Sequence, residues 1–251
     1  MNINDLVANN AASLAGSGTT SSTASKASTA VTAASQQFAK VDKRLQADVD
    51  TTTAKLSKFG LLKSAVASSQ VVAKGLTTLP ATASSSEVTV AMGNFFNAYN
   101  DAITAAKVAV ATPGSGGTSQ GANRVINDLK RALPSDPVTQ DAMKKLGLSI
   151  QSDGTMAHDV KKFAAALTSD PVGTRAALAS IGKKVDAVAT KELASSGPVD
   201  AEISSLTQRN LTLAAQQKAM KALKDSMASA PANSFAGIGL AAYQNNSRGF
   251  F

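Results

Sequence analysis

A chain that works by bond-making chemistry usually shows it in histidines, cysteines and paired carboxylates. Here that inventory is thin. There is no cysteine, and His158 is the only histidine. Without thiolates or a second imidazole, a zinc site has almost no ligands to draw on. Disulfides and a cysteine nucleophile are excluded outright. Asp153 and Asp159 flank a turn but lack the further oxygen ligands that a calcium loop needs. His158, at the entry to a helix, is more readily a structural residue than a base. The other carboxylates are scattered and mostly neighbour lysines at helical spacing, the pattern of a solvated face. The run Pro113-Gly114-Ser115-Gly116-Gly117-Thr118-Ser119 has no following Gly-Lys-Ser/Thr. With no strand before it either, it reads as a flexible loop, not a phosphate cradle. The expectation is a protein that is not an enzyme, with no catalytic residue, no cofactor-binding residue and no metal ligand.

Polar residues at close, directed spacing are concentrated between Leu146 and Pro171. Leu148 and Ile150 alternate with Ser149, which is strand periodicity. Asp153-Gly154 tolerates the positive φ that a two-residue hairpin loop needs. Met156 starts the return strand, giving one small hairpin near 148–157. Asp159 stands at an N-cap, where its carboxylate can accept from the free N–H groups of the next turn. Val160, Phe163, Ala164 and Leu167 line one face of the helix that follows. Asp170-Pro171 closes it, because the residue before proline avoids helical geometry.

The elements that must hold this hairpin are helices. Hydrophobic residues make up 43% of the chain, largely alanine, and aromatics only 4%. Such composition suits long helices packed side by side. From Phe38 to Leu79, apolar residues recur every three or four positions, among them Leu45, Phe59 and Leu62, close to the 3.5-residue repeat of coiled coils. A second helix runs from Ser86, a possible cap, to Ala111, burying Val88, Met92, Phe95, Phe96, Tyr99, Ile103 and Val110. Ala122 to Leu133 is a third, broken by Pro134-Ser135-Asp136-Pro137. Pro171 to Leu193 is helical, with a possible break at Gly182. Pro198 to Ala230 is the last long helix, striped by Leu206, Leu213 and Met220 and interrupted by Asn210 and Gln217. The expected fold is mainly α: a long antiparallel helical bundle or coiled coil, residues 38–230, with one small β-hairpin. Its first long helix should pair antiparallel with its last, each burying its narrow stripe.

Both ends differ from this body. From Ala11 to Ser35, 20 of 25 residues are Ala, Ser or Thr. That leaves almost nothing bulky to bury, so residues 1–37 should be disordered when free. A plain linker and a segment that orders on assembly fit equally well. Residues 231–251 carry Leu240, Tyr243, Phe250 and Phe251 among Gly, Asn and Ser. An apolar tail too short for its own core suggests docking onto a neighbour. The net charge of +8 comes mainly from dispersed lysines, with six arginines and no aromatic-and-basic cluster. That is a solvated basic surface, not a nucleic-acid footprint. There is no 18-residue apolar run to span a membrane, and no basic stretch followed by an apolar core that would act as a cleavable signal.

Several of these stretches together resemble the flagellar filament cap family, hook-associated protein 2. The stretch Phe95-Phe96-Asn97-Ala98-Tyr99-Asn100-Asp101 resembles its Phe-x-x-x-Tyr-Asn-Asp signature, with Phe96, Tyr99, Asn100 and Asp101 as the residues it singles out. Leu146, Gly147, Asp153, Gly154 and Asp159 hold the places of its Leu-Gly-Ile, Asp-Gly-Thr and Asp-led helix. Phe59 to Val66 resembles its first helix, and Met1 to Val7 its opening. The resemblance implies a homo-oligomer exported by the flagellar type III route. Its place would be extracellular, at the distal filament end, assisting flagellin assembly. Implied partners are flagellin, hook-associated and junction proteins, and an export chaperone. One feature departs from the family: a few residues, Ala81 to Ser86, replace the large strand-rich insertion that forms its plate. Another axial flagellar or type III-exported component, flagellin-like or hook-associated, is the alternative.

Overall fold

A computed structural model describes residues 23–112 and 120–229. It is mainly α-helical with a single two-stranded antiparallel hairpin among the described residues. Seven α-helices appear there: α1 Thr23–Thr77, α2 Ser85–Ala111, α3 Gln120–Ala132, α4 Pro137–Lys145, α5 Val160–Ser169, α6 Pro171–Leu193 and α7 Pro198–Ser229. The strands are β1 Leu148–Ile150 and β2 Met156–His158, and a 3₁₀ turn Leu133–Ser135 joins α3 to α4.

The chain divides into two units, Met1–Gln46 and Ala47–Phe251. In the first, the described residues are helical and Leu45 is buried, with Phe38 half-buried. α1 begins at Thr23, not Phe38. Alanine is the best helix former, and a helix already nucleated adds turns without the nucleation cost. Residues 1–22 lie outside the described residues.

In the second unit, α1 buries a strict heptad seam. Thr52, Lys55, Phe59, Leu62, Val66, Ser69, Ala73 and Leu76 are all buried, at alternating steps of three and four. Leu56, on the expected stripe, is only half-buried, and Lys55 takes the seam position beside it. The partner of the C-terminal part of α1 is α6, which corrects the simple pairing of first and last helices. The amide of Gln70 donates to Asp186 and Thr190, at 3.0 and 2.7 Å. Gly182 faces the backbone of Ala73 and the side chain of Leu76, so closely that a Cβ there would lie 2.5 Å from the Ala73 carbonyl. Gly182 therefore marks a close helix crossing and not a break, and α6 runs unbroken through it. α1 first meets α7 at Lys63–Asp200, 2.6 Å. Positions fall along α1 as they rise along α6 and into α7, so the packing is antiparallel.

Helix starts are set by acids and serine at expected sites, with one shift. Ser84, not Ser86, caps α2, and Ser84 and Glu87 form a reciprocal capping box. Asp136, Asp159 and Asp170 cap α4, α5 and α6, and proline occupies the first turn of α4 and of α6. α5 buries Phe163 and Leu167, but Val160 and Ala164 are exposed, against expectation. α5 is only ten residues long and turns two of its sides to water. Phe95, Tyr99, Ile103, Leu129 and Leu178 join Phe59 and Leu62 in one continuous core.

Candidate functional site: a hairpin docked on a helix

The hairpin and α2 meet through directed bonds, and the family-like residues are the ones that make them. The register pairs Leu148 with His158, Ser149 with Ala157 and Ile150 with Met156. Asp159 N–H donates to the Gly147 carbonyl at 2.8 Å, and Gln151 N–H to the Thr155 carbonyl at 2.7 Å. Hydrogen-bonded pairs alternate along an antiparallel ladder, so the peptide groups of Met156 point away from β1. Asn100 meets them there. Its Nδ2 donates to the Met156 carbonyl at 3.1 Å, and its Oδ1 accepts from the Met156 N–H at 2.7 Å. One side-chain amide thus stands in for a third strand and covers the open edge of β2.

The loop is one residue longer than a two-residue turn. Ser152, Asp153 and Gly154 lie between Gln151 and Thr155, and Gly154 N–H donates to the Gln151 carbonyl at 3.0 Å. Three-residue loops of this kind end in a left-handed residue, and Gly154 has φ 89. Asp153 Oδ1 accepts from the Thr155 N–H and hydroxyl at 3.0 and 2.6 Å, which braces the loop internally. Its other oxygen accepts from Lys107 Nζ of α2 at 2.7 Å. Lys107 first, and Thr155 with it, hold the Asp153 carboxyl well below the usual range. Lys130 of α3 donates to the Ser152 carbonyl at 2.7 Å. The Tyr99 hydroxyl donates to the Gly154 carbonyl at 3.2 Å, and burial pushes its phenol well above its ordinary value.

Gly147 explains the Leu-Gly-Leu element. It lies just past α4 with φ 69, and its N–H donates to the Lys144 carbonyl at 3.2 Å. This is the left-handed stop that glycine favours. A Cβ there would lie 2.8 Å from Lys162 Cβ and 2.9 Å from Asp159 Cβ. Asp159 Oδ1 accepts from the Lys162 N–H at 3.0 Å. One aspartate therefore closes the strand ladder with its backbone and starts α5 with its side chain. Leu146 is buried beside this turn.

His158 sits between Phe96 and Phe163, with ring centroids 5.8 and 5.4 Å away. Its Nε2 is buried without a hydrogen-bond partner, and burial lowers its basicity despite nearby Asp159. Its surroundings are those of a packing ring. Among the described residues, no group of three or more His, Asp or Glu side chains could hold a metal ion.

The structure thus brings together Phe96, Tyr99, Asn100, Leu146, Gly147, Asp153, Gly154 and Asp159. Asp101 stands apart, exposed on the opposite side of α2. Of the helix-pairing residues, Phe59, Leu62, Leu206 and Leu213 are buried and Met220 is half-buried. Leu240, Tyr243, Phe250 and Phe251, and the glycines of the 113–119 loop, lie outside the described residues. Lys107 and Lys130 join the site without any motif in the sequence to mark them. Each lies on the helical face turned to the loop, a signal that only the α2 and α3 placements reveal. No described helix is long and apolar enough to cross a membrane. No protein-family model matches the chain, and no curated protein matches it.

Proposed function

We propose that this chain is a reduced filament cap component of a bacterial flagellum. It would self-assemble at the distal end and assist flagellin subunits to fold into the filament. One observation carries the reading. The two motifs behind the resemblance, Tyr99-Asn100 and Asp153-Gly154-Thr155, lie 54 positions apart counted from Tyr99 to Asp153, yet bond to the same hairpin. A chance match of short motifs has no reason to place them in contact. The hairpin is also tied to α2 through Tyr99, Asn100 and Lys107 and to α3 through Lys130.

A second reading is favoured by one specific feature. α1 ends at Thr77 and α2 starts at Ser85, and the turn between them closes on itself through Ala83 N–H to the Pro80 carbonyl at 3.0 Å. No plate fits there. An axial junction component, built from the same helices and needing no plate, accommodates that turn directly.

A deletion strain separates the two. Loss of a cap leaves cells without filaments and flagellin monomers in the medium, restored by the gene in trans. Loss of a junction component leaves bare hooks on the cells and detached filaments that still carry caps. Normal filaments, with no second cap gene present, contradict both.

A further inference from the structure

Away from the hairpin, one buried acid has no evident structural use. Glu192 lies in the last turn of α6, fully buried, and neither carboxyl oxygen has a hydrogen-bond partner. The free carbonyls at a helix C-terminus make this a poor place for negative charge. α3 packs on the corner where α6 gives way to α7. Its Gly121 faces the Pro198 carbonyl so closely that a Cβ would lie 2.9 Å from it.

The charged groups that act on Glu192 come from α3 and α6, while the acids of nearby α7 are placed elsewhere. α3 contributes Asp128 and Arg124, and α6 itself contributes Lys191. Lys191 Nζ is bound to Asp128 Oδ2 at 2.6 Å. From α7, Asp200 is engaged with Lys63 of α1, and Glu202 has its Cβ beside Gly121. Burial works against an ionised Asp128, but Lys191, Glu192 and Arg124 outweigh it and hold that carboxyl low. Burial and Asp128 push Glu192 up to about 7, against the pull of Lys191 and Arg124. The cation at the corner thus serves Asp128 and leaves Glu192 without a donor.

We propose that Glu192 is a proton-operated latch for the docking of α3 on the α6–α7 corner. Protonated, Glu192 carries an O–H that it can turn to Asp128, and the corner is closed. As the carboxylate it repels Asp128 from a buried site, and α3 loosens. The folded carboxyl is raised above its ordinary value of 4.5. Its stabilisation is therefore complete below about pH 4.5 and fades as pH rises through about 7. This inference is independent of the flagellar reading.

The full chain tests it by amide hydrogen exchange, with protection factors corrected for the intrinsic pH dependence. Between about pH 5.5 and 8.5, α3 amides of the parent should lose about tenfold in protection, because an acid that becomes tenfold stronger when α3 opens favours opening by the same factor once ionised. Glu192→Gln, neutral at both values, should keep α3 protection constant. Constant protection in the parent, or an equal drop in E192Q, overturns the latch. If E192Q does not fold, carboxyl carbon resonances of the parent decide instead. A Glu192 midpoint near 7 that moves down in Asp128→Asn supports the latch, and a midpoint at or below the ordinary 4.5 overturns it.

Discussion

The docked hairpin and the heptad seam of α1 specify their places in opposite ways. The seam is repetitive and nearly all contact. Phe59, Leu62, Val66, Ala73 and Leu76 fill it, and its polar members, Thr52, Lys55 and Ser69, are incidental to the pattern. The hairpin has six strand residues and little area to bury. It is fixed by directed bonds from particular side chains: Asn100 to the Met156 peptide, Tyr99 to Gly154, Asp153 to Thr155. Burial is non-directional and tolerant of exchange at constant volume. A buried peptide group that loses its partner is not tolerated, because desolvation is left uncompensated. The same core thus holds one region indifferent to residue identity and another that depends on it.

That difference should appear directly in mutant stabilities. The largest effect belongs to Gly147→Val. It forces a β-branched residue into the left-handed region and drives a Cβ against Asp159 and Lys162. Strain and overpacking together should cost about 3–4 kcal/mol, read as a lower midpoint in urea. Asn100→Leu keeps the volume but strips the partner from both Met156 groups, and should cost about 2–3 kcal/mol. Leu62→Met, an equally conservative swap in the seam, should cost less than about 1.5 kcal/mol. If Leu62→Met proves as costly as Asn100→Leu, the contrast between the regions is lost.

Smaller effects sharpen the comparison. Ser69 Oγ is buried in the seam without a partner, so Ser69→Ala should leave stability unchanged or raise it by up to about 1 kcal/mol. The last is an acid limb. Lys184 foremost, with Thr139, holds the Asp136 carboxyl down to about 2, and Asp153 is lowered by Lys107 and Thr155. Carboxyls depressed in the fold stabilise it above their ordinary value of 3.8, and this contribution fades as pH falls towards about 2. The parent should therefore weaken below about pH 4, and Asp153→Asn should flatten part of that slope in thermal melts.

How much of the chain is legible in its sequence follows the same division. The helices are legible because stripes of Leu, Val and Phe at heptad spacing leave few other folds, and Asp-Pro pairs mark two helix starts. The hairpin is legible because Asp-Gly after an alternating Leu-Ser-Ile has little other use. What escapes is set by neighbours distant in sequence. Gly182 has the look of a helix break, yet it is the crossing point where α1 approaches. Lys55 has the look of a solvated charge, yet the register of the seam buries it. The start of α1 escapes too, because small residues carry no stripe to mark where the helix begins. The role of Asn100 can be suspected from its motif, but its bonds to Met156 require the α2–hairpin geometry.

The proposed function is positional: it places this protein at the growing end of a flagellar filament. Antibody against the purified chain, carrying electron-dense label, can be applied to intact flagella and imaged. The account predicts label confined to distal tips, one cluster per filament, and none in a deletion strain. Label along the shaft, or at the junction with the hook, would contradict it.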